Sequence, residues 1–131
     1  MSDRKPSLRT ALSRVRYLGA ARSGTRHFWH QRLTSVALVP LTIGAIGVVI
    51  GLMGRNHAAV VQILGSSPVA IGMLLFVLVS VYHMWLGMQV IIEDYVHDEL
   101  PKYAALMSNT FFSCAVGLTA AFGVLKLSFG L

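Results

Sequence analysis

Three residues whose side chains can do chemistry lie on one predicted helix: His83, Asp94 and Tyr95. His83 lies deep within an apolar segment, where an ionisable side chain costs several kcal/mol unless it has a partner, and such a residue marks a candidate functional site. The eleven-residue step from His83 to Asp94 is about three helical turns at roughly 100° per residue. The two side chains therefore share one helix face, roughly 16 Å apart.

An imidazole at the depth of His83 has three possible roles. It can ligate haem iron, relay protons, or only form a hydrogen bond across helices. The other histidines are predicted to lie outside the deep apolar segments, His27 and His30 before the first of them and His57 and His97 in loops. A six-coordinate haem would therefore need its second axial ligand from a partner chain.

The Asp94-Tyr95 pair follows the same apolar segment and also has two interpretations. Charged and interfacial aromatic residues often anchor the end of a membrane helix. Alternatively, the tyrosine hydroxyl could donate a hydrogen bond to a quinone carbonyl while the carboxylate orients that donor or passes protons. Arg32 opens the first apolar segment on the same side, where its guanidinium could pair with a lipid phosphate, a haem propionate or Asp94.

Charge and hydropathy predict an all-α membrane protein. The 131-residue chain is 55% hydrophobic and 12% charged, and its mean hydropathy is +0.66. Charged residues are absent from three segments, 33–53, 69–92 and 108–125. The length of each segment is close to the roughly 20 residues that a membrane-spanning helix needs. A chain this short buries little of itself, so we expect its three helices to pack with another membrane subunit. The predicted organisation is a basic arm near residues 1–23, followed by a three-helix transmembrane unit at 24–131. Its helices are predicted near 28–54, 68–97 and 103–129.

The positive charge is unevenly placed along the chain. The net charge is +6, and eight of the eleven lysines and arginines lie at or before Arg32. Lys102 falls in the second predicted loop on the same side, whereas Arg55 and Lys126 fall on the other side. The positive-inside rule then predicts a cytoplasmic N-terminus. Because topology and anionic lipid already account for the basic arm, the sequence does not favour nucleic-acid binding.

Small residues predict where helices approach closely. Gly47 and Gly51 are four apart in the first span, and Gly87 lies one turn from His83, where a large planar group could lie against the helix. On the second span, one face is smaller and more polar than the opposite face, and it contains Gly72, Phe76, Ser80 and Val90. On the third span, Ser113, Gly117 and Ala121 repeat at four-residue steps. A nucleophile arrangement, a phosphate loop and a zinc cluster are all missing from the sequence, so the chain alone is predicted to catalyse nothing.

The run His83-x-x-x-Gly87-x-x-x-x-x-x-Asp94-Tyr95 resembles the signature of the small hydrophobic membrane anchor of succinate dehydrogenase, which is respiratory complex II. The segment from Gly24 to Thr34, which contains Arg32, is similar to the motif before that family's first helix. The resemblance covers about residues 24–130 and favours the small anchor over the larger one, because the larger anchor lacks the Asp-Tyr pair.

The resemblance implies specific roles for these residues. His83 would be an axial ligand of haem b, Tyr95 and Asp94 would bind ubiquinone, and Arg32 would lie near the haem propionates and quinone pocket. It also implies three partners, which are a flavoprotein, an iron–sulfur subunit and a larger cytochrome b anchor that supplies the second haem ligand.

The resemblance implies a location in the bacterial inner membrane, in preference to the mitochondrial one. Two alternatives stay open at this point. One is a fumarate reductase anchor that uses menaquinone, and the other is a structural three-span protein in which His83 only hydrogen-bonds.

Overall fold

A computed structural model of the chain describes residues 22–130, with side chains from residue 24 onward. Those residues form four α-helices and no strand: α1 (Arg22–Leu52), α2 (His57–Gly65), α3 (Ser67–Tyr95) and α4 (Glu99–Phe129). Helices α1, α3 and α4 are long and apolar enough to cross a membrane. The predicted all-α, three-span fold is confirmed. The basic arm predicted for residues 1–23 lies almost entirely outside the described residues.

The helix ends differ from the sequence-based boundaries. Helix α1 begins at Arg22 rather than near residue 28, and it continues through Pro40. Helices α3 and α4 are separated by three residues, because α3 ends at Tyr95 and α4 begins at Glu99. The polar residues of the α1 entry segment are therefore part of one long helix. Their side chains consequently take fixed angular positions relative to the apolar span.

The short helix α2 occupies the segment predicted to be the first loop. Asn56 precedes its first residue, and the Asn56 side-chain oxygen accepts a hydrogen bond from the Ala59 backbone N–H at 2.9 Å. An asparagine at this position satisfies one of the free N–H groups of the first turn. Ser66 is the residue that precedes α3. Its hydroxyl donates to the Ile63 carbonyl at 2.7 Å, which ties the end of α2 to the start of α3.

Helix α3 lies in the middle of the spanning helices. It packs against both α1 and α4, whereas α1 and α4 do not approach each other within the described residues. The three helices therefore form a row rather than a closed bundle. Only Ala45, Ala70 and Leu86 are buried hydrophobic residues in this part of the chain. Most of the apolar surface of the three spanning helices is consequently left for lipid or for another protein.

The contact between α3 and α4 uses the small residues of α4. Ser113 is 4% exposed, and an added Cβ at Gly117 would lie 3.3 Å from Val81 Cγ1. By contrast, a Cβ at Gly47 or Gly51 would meet nothing within 4 Å. The predicted close packing at Gly47 and Gly51 therefore has no partner helix among the described residues, and it would need a second subunit.

The α3–α4 contact gives a testable prediction about stability. In Gly117→Val, the added methyl groups would overlap Val81 and force the helices apart, which costs about 1–3 kcal/mol in a packed interface. Gly123→Val is the matched control, because a Cβ at Gly123 meets nothing within 4 Å. Unfolding of the purified protein in mixed micelles should show a lower free energy of unfolding for Gly117→Val and little change in it for Gly123→Val. Equal stability of the two variants would contradict this packing.

Candidate functional site

His83 makes a direct contact with helix α1. Its Nδ1 atom lies 2.8 Å from Thr34 Oγ1, which is a hydrogen-bonding distance. Thr34 is 9% exposed, and its hydroxyl also lies 2.8 Å from the His30 carbonyl oxygen. A buried hydroxyl of α1 thus holds one side of the imidazole, which lies near the middle of α3. This contact fits a structural hydrogen bond and also fits an oriented metal ligand.

His30 lies closer to this site than the sequence predicted. It lies before the apolar segment 33–53, as predicted, but it is part of α1, and its Nδ1 is hydrogen-bonded to the Tyr82 hydroxyl of α3. The Tyr82 ring stacks on Trp85, with ring centroids 5.8 Å apart. The Trp85 Nε1–H donates to Thr110 Oγ1 of α4 at 3.2 Å. Polar and aromatic groups from all three spanning helices therefore meet at the level of His83.

Gly87 lies against α1, one turn beyond His83. A Cβ at this position would lie 3.4 Å from Nε2 of Gln31, which is an ordinary van der Waals contact. The space beside Gly87 therefore holds an amide side chain from α1. The sequence-based expectation of a large planar group against this face of the helix stays a prediction.

A cavity of about 310 Å³ lies beside Gln31, between α1 and α3. Among the described residues, His27 Nε2 and Gln31 Oε1 are buried without a hydrogen-bond partner. Because buried polar atoms usually have partners, these two atoms are available to a polar group that enters the cavity. The residues that line the cavity are Gly24, His27, Phe28, Gln31, Arg32, Ser35 and Val90.

The remaining predicted site residues lie toward the other end of this face. Arg32 lines the cavity, and its guanidinium carbon lies 5.0 Å from the centre of the Phe28 ring. Val90 lines the same cavity one turn before Asp94, whereas Asp94 itself is exposed. Tyr95 is 79% exposed at the end of α3. The structure thus places Arg32 on the wall of a cavity that reaches α3 at Val90, and it leaves the Asp94-Tyr95 pair exposed.

Sequence reasoning missed the residues that α1 contributes opposite α3. His27, Gln31 and Thr34 recur at three- and four-residue steps, and His30 lies one position from Gln31. This spacing places them near one face of a helix. Polar residues on one face of a membrane helix usually face protein rather than lipid. The signal was present in the sequence, but the predicted helix start near residue 28 left His27 outside the helix.

The residues present fit one half of the haem site that the family resemblance implies. His83 has one nitrogen tied to a buried hydroxyl, which is the usual arrangement for a metal-binding histidine. The cationic Arg32 lies on the neighbouring helix, where it suits the carboxylates of a porphyrin. The row of helices does not enclose a planar group of that size, so a second chain would have to cover it.

Fold and site together define a class of protein, which is a helical membrane protein with a half-buried polar site on its central helix. Comparison with known families narrows the class. The family described as "Succinate dehydrogenase/Fumarate reductase transmembrane subunit" matches residues 6–124. The chain belongs to this family.

Individual relatives agree with the family match. The chain is similar to the succinate dehydrogenase hydrophobic membrane anchor subunit of Paracoccus denitrificans, with 30% identity over 86% of this chain and 87% of that relative. The protein of the same description from Rickettsia bellii is 31% identical over 80% of this chain and 84% of that relative. A succinate dehydrogenase membrane anchor subunit from Reclinomonas americana is 28% identical over 65% of this chain and 73% of that relative. No solved structure matches the chain significantly.

The contact at Gly87 gives a second testable prediction. Gly87→Ala should be tolerated, because its Cβ would be in ordinary contact with Gln31. Gly87→Leu should lower the free energy of unfolding by about 1–3 kcal/mol, because its outer carbons must displace that amide. Unfolding in mixed micelles measures the difference in the free energy of unfolding between the two variants. A Leu variant as stable as the Ala variant would contradict the close approach of α1 to Gly87.

Proposed function

We propose that the chain is the small membrane anchor of a succinate:ubiquinone oxidoreductase. The single observation that carries this proposal is a histidine, His83, which a buried hydroxyl holds near the middle of the central helix. Family membership supplies the enzyme class, and the named relatives favour succinate dehydrogenase over fumarate reductase. The chain would catalyse nothing alone, and it would act in the tricarboxylic acid cycle and respiratory electron transport.

His83 would be one axial ligand of haem b, which supplies a one-electron carrier within the membrane. The second ligand would come from the larger anchor subunit. His30 is the competing candidate within this chain, because it lies at the same level. Its Nδ1 is likewise hydrogen-bonded across the contact between α1 and α3, to the Tyr82 hydroxyl. The family motif, which contains His83, favours His83 as the ligand. Arg32 would neutralise the charge of a propionate.

Ubiquinone, the substrate, would bind near the end of α3. Tyr95 would donate its hydroxyl proton in a hydrogen bond to a quinone carbonyl, and Asp94 would orient that donor or pass protons. The high exposure of Tyr95 supports this role, because a substrate site shared between subunits leaves such a residue uncovered in the single chain. The cavity beside Arg32 reaches Val90 on the same helix, so it could extend the site toward α1.

Partners and location follow from this role. The chain would bind an iron–sulfur subunit and, through it, a flavoprotein that oxidises succinate. The exposed faces of α1 and α4 would pack against the larger anchor. The chain would lie in the bacterial inner membrane with its N-terminus inside, because most of its basic residues precede α1 or lie in its first turns. The Asp94-Tyr95 pair would then lie near the cytoplasmic surface, where protons for quinone reduction are available.

Two histidine variants test the haem proposal. His83→Ala should abolish the b-type band in a reduced-minus-oxidised absorption spectrum of the purified complex. His30→Ala, the control at the same level of the membrane, should keep that band. Retention of a normal band in His83→Ala would refute ligation by His83 and favour the structural alternative. Loss in His30→Ala alone would assign the iron to His30 instead.

A tyrosine variant tests the quinone proposal. Tyr95→Phe should slow quinone reduction roughly tenfold, because a lost hydrogen bond to a reacting group is worth about 1–2 kcal/mol. Succinate oxidation by an artificial soluble acceptor should stay normal. Tyr103→Phe is the matched control, since Tyr103 is also exposed near this end of the helices. Unchanged quinone turnover in Tyr95→Phe would remove that residue from the site.

A further inference from the structure

The Thr34 hydroxyl has a single proton, and the structure indicates where it goes. Its oxygen lies 2.8 Å from the His30 carbonyl and 3.1 Å from the Gln31 carbonyl, both in the preceding turn of α1. Carbonyl oxygens only accept, so in these contacts the hydroxyl must donate. Such bonds to the preceding turn are usual for threonine within a helix. The lone pairs of the hydroxyl oxygen are left for His83.

His83 Nδ1, 2.8 Å from the same oxygen, is then the donor. A neutral imidazole has one N–H group and one bare nitrogen. If Nδ1 has the proton, Thr34 takes part in two kinds of hydrogen bond, as donor within α1 and as acceptor from α3. The reverse arrangement, with the hydroxyl donating to a bare Nδ1, gives up the bond within α1 and so forms fewer hydrogen bonds.

The second ring nitrogen supports the same assignment. Within residues 24–130, Nδ1 is the imidazole atom of His83 that has a hydrogen-bond partner. A proton on Nε2 would therefore be an N–H group without an acceptor among these residues, whereas a proton on Nδ1 has Thr34 Oγ1 as its acceptor. Both arguments place the proton of His83 on Nδ1 and leave the lone pair on Nε2.

We propose that Thr34 is a positioning residue for His83, which fixes the imidazole with Nδ1 protonated and presents Nε2 as the metal-binding atom. This inference rests on the proposed haem function and adds to it the atom that binds and the residue that selects that atom. A hydrogen bond accepted from the remote nitrogen also raises the basicity of a histidine ligand. Thr34 would thereby favour ferric iron and hold the ring at one orientation.

Substitutions at Thr34 test this role in the purified complex. Thr34→Val keeps the side-chain shape but removes the acceptor, so the haem midpoint potential should shift to more positive values. The low-spin ferric electron paramagnetic resonance signal should also shift or broaden, because the ring is less constrained. Thr34→Ser keeps a hydroxyl and should retain the wild-type potential. Thr119→Val is the matched control, because Thr119 also donates to its preceding turn, at 2.7 Å, but lies on α4.

The outcomes separate this inference from the proposed function. A Thr34→Val complex that keeps the wild-type potential and resonance signal, while His83→Ala loses its haem, would overturn the role of Thr34 and leave the haem proposal standing. Retention of haem in His83→Ala would overturn both. Thr34→Ala also removes the hydroxyl and adds no atoms. If the Thr34→Val complex does not assemble, the Thr34→Ala complex is therefore compared with the wild type instead. A potential shift in Thr34→Ser equal to that in Thr34→Ala would also refute the role of the hydroxyl.

Discussion

Hydrogen bonds between helices at one level of the membrane set the register of the whole fold. Apolar side chains cannot select a register strongly in lipid, because lipid tails are as apolar as leucine. Each interhelical bond contributes only about 0.6 kcal/mol on average, but several at one level act together. They join α3 to both neighbours through a layer of residues that comprises His30, Thr34, Tyr82, His83, Trp85, Asn109 and Thr110.

This arrangement explains why the chain is open on its other faces. Helix α3 uses its polar layer to hold α1 on one side and α4 on the other, and those two helices do not meet within the described residues. Small residues contribute where α4 approaches closely, as at Gly117. The glycines of α1 have no such neighbour, and large side chains such as Trp29 and Phe111 are more than half exposed. A row of helices with unused small faces is suited to assembly with a second membrane subunit.

Much of the fold could be predicted from sequence because its physical cause is local. Long uncharged segments must span the membrane as helices, and His83 was recognisable because an ionisable residue in such a segment is unusual. Helix α2 was missed, because a nine-residue helix is too short for the length criterion. Thr34 and His30 were not assigned to the site, because their importance depends on how α1 and α3 align. Periodicity within one helix does not specify that alignment.

The energetic balance at His83 favours a function beyond packing. An imidazole within a membrane helix costs several kcal/mol without a partner, and one hydrogen bond to Thr34 returns only a fraction of that. An apolar residue at this position would stabilise the helix pair at least as well. The hydroxyl moreover satisfies only Nδ1 among the described residues. A hydroxyl that orients the imidazole at Nδ1 therefore supports the proposed role of His83 as a ligand.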